Sequence, residues 1–463
     1  MLTLFWTDAL FFLLLSTVAA LVLGLRRREH FRRPWRTVSR STSAMVSLVL
    51  MGVYLIIGVA DSVHFYPSAA SAAEGPSMNE PISLLDAWLS GLRSRTEKTY
   101  SEPFAVHAYA KEHLTAPDGG QRWDYPRLLH GGAHLADPAT ERVRDIASTG
   151  LRGAGEGLLA WCALGATVLA LLGRARRQAP GAVLRQVAAG ATQLPWRAML
   201  LTLLLVCCGI GALAEWSAKY HVFGTDKVGA DVLYQTVKSI RTGLLIGTLT
   251  TFVTLPLALV LGLAAGYFRG WADDLIQYLY TTLNSIPHVL LIAAAILLTQ
   301  VYMAKHEAAF ASLALRADLR LLFLCLILGL TSWTGLCRLL RAETLKLREL
   351  EYVQAARALG VRDRGVLLRH ILPNVFHIVL ISVVLDFSGL VLAEAVLSYI
   401  NIGVDPTTES WGNMINSARL ELAREPAVWW SLAAAFVFMF TLVLAANLFA
   451  DAVRDALDPR RAD

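Results

Sequence analysis

The chain has 463 residues, of which 55% are hydrophobic and only 17% are charged, against about 25% charged in a typical soluble domain. Its mean hydropathy is +0.50. These values exclude an ordinary soluble protein and indicate an integral membrane protein whose first partner is the lipid bilayer. The net charge of +6 reflects basic loops between apolar runs, so it predicts membrane topology and no nucleic-acid partner.

Apolar runs long enough to be transmembrane helices occur nine times, since about 20 residues cross the hydrocarbon core. Backbone groups in lipid must be satisfied within the segment, so each run is expected to be helical. Pro256 and Pro287 interrupt the fifth and sixth runs, where kinks are expected. The nine runs are 7–25, 44–60, 156–173, 197–216, 240–266, 276–302, 320–340, 376–400 and 428–451.

Basic residues are concentrated in three loops, at 26–40, 174–197 and 338–369. Short loops rich in Lys and Arg stay in the cytoplasm. Nine spans place all three loops there, with the N-terminus outside and the C-terminus inside. Residues 1–8 carry no basic side chain, so the first run is predicted to be an uncleaved anchor and not a signal peptide.

The spacing of the spans predicts four regions. Residues 1–61 form two transmembrane helices with a basic cytoplasmic loop, and 62–152 form an extracytoplasmic domain. Residues 153–195 form a third span with a basic linker, and 196–463 hold six spans with short connections. Within the outer region, 82–92 is apolar-periodic and is either a small folded cap or a membrane-surface helix. The stretch 67–77 is typical of a flexible linker.

Patterns for catalysis and metal binding are missing from the sequence. It has no GxxxxGK[ST] phosphate loop and no GxSxG elbow. His130 and His134 are four residues apart, but two glycines lie between them, so we interpret them as ordinary loop histidines and predict no metal site. The five cysteines lie in or beside apolar runs, where helix packing explains them. The chain is therefore predicted to be a non-enzymatic transporter or channel subunit that takes its energy from elsewhere.

A short basic segment, "EYVQAARALGVRDRGVLLRHILPNV" at 351–375, lies between two of the predicted spans. Its first part is predicted to be a helix with Tyr352, Ala355, Ala356 and Leu359 on one face. Gly360 supplies a left-handed cap, and a second helix follows over 362–371 until a proline stops it. The segment either docks into a groove on another protein or is a solvated loop that only fixes topology.

This segment resembles the EAA loop of ABC-importer permeases of the dipeptide, oligopeptide and nickel group. "AARALG" and "RHILPN" match that loop, with Gln354 in place of its first Glu and His370 where Ile is usual. "VLSYINIGVDPTTESWGNMI", "NLFADAVRDALDPR" and residues 221–247 are also similar, and the last of these departs at Lys227, at Ala230 and in the region after Leu233. The resemblance covers about 196–463, with the coupling loop at about 341–375.

The resemblance implies an all-α integral membrane protein with about nine transmembrane helices. In it, a six-helix ABC type I importer permease core is preceded by three extra spans and an extracytoplasmic domain. The implied function is that of a bacterial inner-membrane permease subunit for peptides. Its implied partners are a second permease in a heterodimer, cytoplasmic ABC ATPases and an extracytoplasmic binding protein. The chain would bind no cofactor, since ATP and Mg would be held by the ATPases. The residues implied to couple to the ATPases are Glu351, Gln354, Ala355, Ala356, Arg357, Gly360, Leu372 and Pro373.

Polar residues inside spans are costly and are candidates for the transport path. These candidates are Asn284, Asp386 and Glu394. Asp386 and Glu394 are eight apart, roughly on one side of a helix, and either line the path or serve helix packing. Nickel or another small solute is the alternative substrate, and an ion-coupled secondary transporter is the alternative class. Residues 1–195 could dock the binding protein, shield the lateral face or brace the partner permease.

Overall fold

A computed structural model describes residues 2–25, 29–66, 81–115, 121–306, 310 and 312–457, with residues 2, 25, 29–34 and 115 described by their backbone alone. The expected linker at 67–77 lies outside the described residues. The helices are α1 (Trp6–Leu25), α2 (Glu29–Arg40), α3 (Thr42–Asp61), α4 (Leu84–Trp88), α5 (Ser90–Ser94), α6 (Pro138–Arg176), α7 (Pro180–Ala189), α8 (Trp196–Ser217), α9 (Val232–Phe268), α10 (Trp271–Ser285), α11 (His288–Lys305), α12 (Leu313–Ser332), α13 (Thr334–Arg348), α14 (Glu351–Ala358), α15 (Asp363–Val366), α16 (Leu372–Tyr399), α17 (Trp411–Glu421) and α18 (Trp430–Leu457). The strands are β1 (Leu2–Thr3), β2 (His64–Phe65), β3 (Ile82–Ser83), β4 (Glu112–Thr115) and β5 (Gln121–Asp124).

Eight of the described helices are long and apolar enough to cross a membrane: α1, α3, α6, α8, α9, α11, α16 with the turns before it, and α18. The ninth expected span, 320–340, corresponds to α12 and the start of α13. The first two turns of α12 carry Arg316, Asp318 and Arg320, and this charge sets it apart from the other eight. Arg320 lies 3.3 Å from Asp405, so part of that charge is paired.

The sixth expected span, 276–302, is wrong in its extent. Two helices occupy this region, because Pro287 ends α10 and begins α11. The residue before it, Ile286, has φ −92° and ψ 131°, the extended backbone that a following proline favours. Only α11 is apolar enough to cross a membrane, whereas α10 has Asp273 and Asp274 in its first turn. Pro256, by contrast, lies inside the continuous α9.

The chain divides into two compact units, the first made of residues 1–3, 36–241 and 409–445. In this unit α6 packs along α8, and α3 also packs on α8. A Cβ at Gly153 or Gly157 of α6 would collide with the backbone of Gly211 or Cys207 of α8. Glycine at these positions lets the two backbones approach closely, as small residues do between membrane helices.

The region expected to form an outer domain, 62–152, holds short strands and helices and not helices alone. β1, β2 and β3 form an antiparallel sheet in which His64 pairs with Ser83, and β4 pairs with β5 as a hairpin. The apolar-periodic stretch 82–92 forms β3, the whole of α4 and the first part of α5. The expected boundary at 152 falls inside α6, which runs without a break into the third span.

Buried charges join this outer segment to the residues between α8 and α9. The His221 side chain is 2% exposed, and its Nδ1 lies 2.7 Å from Asp231 Oδ2 while its Nε2 lies 3.4 Å from Glu97 Oε1. Burial alone would lower the pKa of His221, but the two carboxylates outweigh it and raise the pKa to about 9. Glu97 also accepts hydrogen bonds from the amides of Leu129 and His130.

The second unit comprises residues 4–35, 242–408 and 446–463. Its hydrophobic core collects side chains from α9, α10, α13, α14, α15 and α16, including Leu340, Val353 and Val366, all fully buried. The helix α1 packs on α12 in this unit. Asp318 of α12 accepts hydrogen bonds from the first amides of α1, with the Trp6 nitrogen at 3.0 Å, and from the Thr7 hydroxyl. A carboxylate at a helix N-terminus is favourable because of the unpaired amides there.

Candidate coupling loop and translocation cavity

The base of the candidate coupling loop is α13, and an ion pair fixes it to α10. Arg341 donates from Nε to Asp273 Oδ1 at 2.6 Å and from Nη2 to Oδ2 at 2.7 Å. Such a two-pronged pair restrains orientation as well as distance. The hydrogen bonds from Arg341 hold the pKa of Asp273 below its usual value. Further along α13, Arg348 donates to the Tyr267 carbonyl at 2.7 Å.

The helix α14 ends in a left-handed turn at Gly360, as the sequence predicts. Gly360 has φ +80°. Its amide donates to the Arg357 carbonyl at 3.0 Å, and the Val361 amide donates to the Ala356 carbonyl at 3.1 Å. These two bonds form the Schellman arrangement that closes a helix C-terminus. The chain therefore reverses at a defined angle.

The buried face of α14 differs from the predicted apolar stripe. Val353 is fully buried and Ala356 is 8% exposed, whereas Tyr352 and Leu359 are 43% and 84% exposed. The predicted face is therefore wrong in grouping Ala356 with the exposed Tyr352 and Leu359, while the implied role of Ala356 in coupling stays a prediction. Spacing alone placed it with the tyrosine and the leucine, but α14 is amphipathic about Val353 and Ala356, which are buried within the chain itself.

The second helix of the loop does not end at Pro373, which corrects another prediction. After α15 the chain forms a π-helical turn over Leu367–Ile371 and continues into α16 without a stop. The Leu372 amide donates to the Leu367 carbonyl, five residues back. Proline is tolerated in the first turn of a helix, where its missing N–H matters least, and it lies in the first turn of α16.

Two tyrosines hold the loop against its surroundings. Tyr267, near the end of α9, donates from its hydroxyl to Asp363 Oδ1 at 2.6 Å, and the Arg357 guanidinium lies 5.6 Å from its ring centre. Asn374 donates from Nδ2 to the Tyr352 hydroxyl at 3.0 Å. Sequence analysis missed Tyr267 and Asp363, which are 96 positions apart, because no local pattern connects them.

The other predicted coupling residues divide by exposure. Leu372 is half-buried and Pro373 is exposed, where α16 begins. Gln354 donates to the Glu349 carbonyl at 3.1 Å. The remaining exposed residues of α14 from that set are Glu351, Gln354, Ala355 and Arg357. The loop thus offers an exposed surface of mixed charge around Leu359 on a buried, fixed base.

Among the transport-path candidates, Asp386 lines a cavity of about 240 Å³. The cavity lies between α9, α11, α12, α13 and α16 of the second unit, and its polar lining includes Thr251, Thr254, His288 and Ser332. Sequence analysis missed these four, since a single hydroxyl or imidazole in an apolar run gives no pattern. A carboxylate facing a mostly apolar cavity with a few polar groups can accept hydrogen bonds from a cationic or amide group of a solute.

The other two path candidates do not line this cavity. Glu394 is 2% exposed, and Ser398 donates to its Oε1 at 2.7 Å. Asn284 accepts a hydrogen bond from Thr334 at 3.0 Å, between α10 and α13. The spacing that grouped Asp386 with Glu394 treats α16 as a bare helix, whereas neighbouring helices bury one part of it and leave another open.

Membrane-spanning helices, an exposed helix-turn on a fixed base and a cavity among the spans define a transport protein of the multi-pass permease class. The comparisons with known proteins identify the family. Residues 258–463 match the model of the binding-protein-dependent transport system inner membrane component. The chain belongs to this family and is a multi-pass permease component of an ABC import system.

Curated relatives share about half of this chain. An oligopeptide transport system permease protein of Mycobacterium tuberculosis is 32% identical over 248 residues, 54% of this chain and 79% of the relative. A glutathione transport system permease protein of Pectobacterium atrosepticum is 32% identical over 250 residues, 54% of this chain and 75% of the relative. A dipeptide transport system permease protein of Lactococcus lactis is 29% identical over 243 residues, 52% of this chain and 65% of the relative.

Proposed function

We propose that this chain is the subunit through which an ABC importer moves peptides delivered by an extracytoplasmic binding protein. It works with a second permease as a heterodimer and with cytoplasmic ATPases, which bind ATP and Mg and hydrolyse ATP. In this proposal the N-terminus is outside, the C-terminus is in the cytoplasm, and residues 341–375 transmit the ATPase movement to the spans.

The single observation that carries this proposal is the structure of the loop, which has an exposed tip on a fixed base. Its tip presents Leu359, 84% exposed, while the Arg341–Asp273 pair and the Tyr267–Asp363 bond fix its base. Exposure of a leucine side chain to water is unfavourable, and its burial by a partner contributes about 1.5–3 kcal/mol to binding. A rigid base lets a push on the tip reach α16 directly, because the π-helical turn joins loop and span in one continuous helix.

Two facts support peptides as the substrate class. The relatives are named for oligopeptide, glutathione and dipeptide transport, and Asp386 offers a carboxylate to the cavity. A peptide carries an ammonium group and amide donors that such a lining can bind. Nothing in the described residues favours nickel as the substrate. Among these residues, no group of three His, Cys, Asp or Glu side chains is placed to hold a metal ion.

The test of coupling replaces the exposed leucine with a charge. Leu359→Asp should leave membrane abundance unchanged, since the side chain contributes little to the permease core, and should lower both ATPase retention on pull-down and ATP-dependent peptide uptake. Leu420→Asp is the control, because Leu420 is 70% exposed on α17 and lies outside the loop. Normal ATPase retention and uptake in Leu359→Asp would contradict the proposal, as would proton-driven uptake by the chain alone.

The substrate assignment is tested at Asp386. Asp386→Asn keeps the shape and removes the charge, so uptake of peptides with an extra positive charge should fall relative to neutral peptides, by about tenfold if about 1.4 kcal/mol of attraction is lost. Uptake should be measured across a set of peptides of equal length in proteoliposomes with all subunits. Glu394→Gln is the control, because Glu394 does not line the cavity. An unchanged peptide preference in Asp386→Asn would assign Asp386 to packing.

A further inference from the structure

A second cavity, of about 320 Å³, lies in the first unit where α3 and α8 begin. Both helices are apolar enough to span a membrane, so their ends lie near the boundary between hydrocarbon and water. The cavity is lined by Arg40 and Thr42 on one side and by residues 190 and 192–198 on the other. It shares no lining residue with the transport cavity, so the function proposed above does not use it.

The cavity lining carries positive charge, and no acidic residue lies close to the lining residues in the sequence. Arg40 and Arg197 both line the cavity and are exposed. No Asp or Glu occurs in residues 30–60 or 157–214, the segments that supply the lining. Two guanidinium groups that share a cavity repel each other, and an anion between them would remove the repulsion.

The helix geometry adds to this positive field. Arg197 lies in the first turn of α8, which has no side-chain cap, and Arg40 directly precedes the cap residue of α3. Helix N-termini carry partial positive charge, so a cation there is unfavourable and an anion is favourable. Both arginines therefore lie where a basic side chain is costly unless an anion is present.

Arg197 is held in place within this lining. Its Nε donates to the Val187 carbonyl at 3.2 Å, and its guanidinium carbon lies 3.3 Å from a Cβ built on Gly190, which has φ +70°. A guanidinium fixed in this way loses little conformational freedom when it binds an anion.

From this cavity, its two arginines and the two helix N-termini beside them, we propose that the site binds a phosphate-bearing anion at the membrane boundary. An anionic phospholipid headgroup supplies that phosphate, because the site lies at the ends of two spans. The bound headgroup holds the junction of α2 and α3 to the junction of α7 and α8.

The experiment uses the full-length chain in detergent and native mass spectrometry, with phosphatidylglycerol, phosphatidylcholine and inorganic phosphate as separate probes. Wild-type protein should retain phosphatidylglycerol in preference to phosphatidylcholine. Arg40→Gln and Arg197→Gln should each weaken that retention about fivefold, and the double variant should weaken it further than either single change. Arg174→Gln and Arg185→Gln are the controls, since they remove the same charge nearby but do not line the cavity.

The probes separate the two sources of phosphate. If inorganic phosphate binds the wild type and displaces the lipid, and the Arg40 and Arg197 variants lose both, the anion site is supported with free phosphate as an alternative occupant. If the wild type prefers neither phosphatidylglycerol nor phosphate, the proposal is overturned without reference to any variant. Equal loss of lipid in the control variants also overturns it, because general surface charge would then explain the binding.

Discussion

Gly360 holds the only left-handed backbone within the described coupling loop, at φ +80°. A side chain there meets open space, since no atom lies within 4 Å of a Cβ built on it. The demand for glycine at this position therefore comes from the backbone and not from packing. The Schellman bonds depend on this conformation, and they set the angle between α14 and α15.

Gly360→Val should reduce transport without reducing the amount of permease in the membrane. The left-handed backbone conformation costs a non-glycine residue about 1–2 kcal/mol of free energy and a β-branched residue more. The turn should therefore open and displace Leu359. ATPase retention on pull-down, peptide uptake and membrane abundance should be measured together.

Gly335→Val is the matched control for that change. Gly335 lies in α13 with open space at its Cβ and without a positive φ, so valine costs only helix propensity there. If both variants keep full uptake, the angle at Gly360 does not matter for transport.

His221 should make the outer segment sensitive to alkaline pH. Its pKa in the folded protein, about 9, is above its ordinary value of 6.5, so protonation stabilises the fold. That contribution is complete below about 6.5 and is lost as the pH rises through about 9. Limited proteolysis of the outer segment across this range should show cleavage that increases at the alkaline end.

His221→Gln should expose the same segment at every pH and abolish the alkaline transition. The change leaves Glu97 and Asp231 buried without their cation, which costs about 3–5 kcal/mol for a broken buried pair. His107→Gln removes an exposed histidine of the same region and should behave as the wild type. An alkaline transition that persists in His221→Gln would assign it to another group.

The helices α6 and α8 have the most extensive packing of any two described helices in the first unit. Their contact depends on a seam of glycines, Gly150, Gly153 and Gly157 on α6 and Gly211 on α8. The sequence analysis treated α6 as an addition and α8 as the first helix of the permease core. The seam makes the two a single packed unit, so the added helix α6 supports a helix that belongs to the core by sequence.

Gly157→Val should separate this pair, because its Cβ would collide with the Cys207 backbone. Backbone cannot yield as a flexible side chain can, and overpacking of this kind costs about 1–3 kcal/mol. Thermal unfolding in detergent, followed by size-exclusion chromatography, should show a lower midpoint. Gly165→Val on the same helix, where nothing lies within 4 Å of the added Cβ, should not; equal loss in both variants would reject the seam.

The sequence predicted the elements that depend on local signals and missed those that depend on distant partners. Apolar runs indicated the spans, and the glycine at position 360 indicated the turn, because hydropathy and backbone freedom are local properties. The face of α14 was wrong at Ala356, since burial there is decided by the core around Val353. Tyr267 and Asp363, and the lining around Asp386, were missed because only the fold brings such residues together.

The N-terminal helices pack against permease helices within each of the two units. In one unit α3 and α6 pack on α8, and in the other α1 packs on α12. In this arrangement the N-terminal helices brace the chain's own permease helices. The three roles that the sequence left open for residues 1–195, which include bracing the partner permease, stay predictions. The packing also means that no cut in the chain before α8 separates an independent N-terminal domain from the rest.

Topology is tested with single cysteines in a background without the five native ones. Ser94→Cys lies on the exposed surface of the outer segment, and Gln178→Cys lies on the exposed loop between α6 and α7. A membrane-impermeant thiol reagent added to intact spheroplasts should label the first and not the second. The reverse result would invert the orientation, and labelling of both after gentle lysis serves as the control for reactivity.

The bond between Asp318 and the start of α1 implies an order of events in biosynthesis. Trp6 and Asp318 are 312 positions apart, and a ribosome adds about 5–20 residues per second. Asp318 is therefore synthesised roughly 15–60 s after the start of α1, and until then α1 lacks the carboxylate that caps it. During that interval water, lipid headgroups or the insertion machinery must satisfy its first amides, so the helix reaches its final place only when most of the nascent chain has been made.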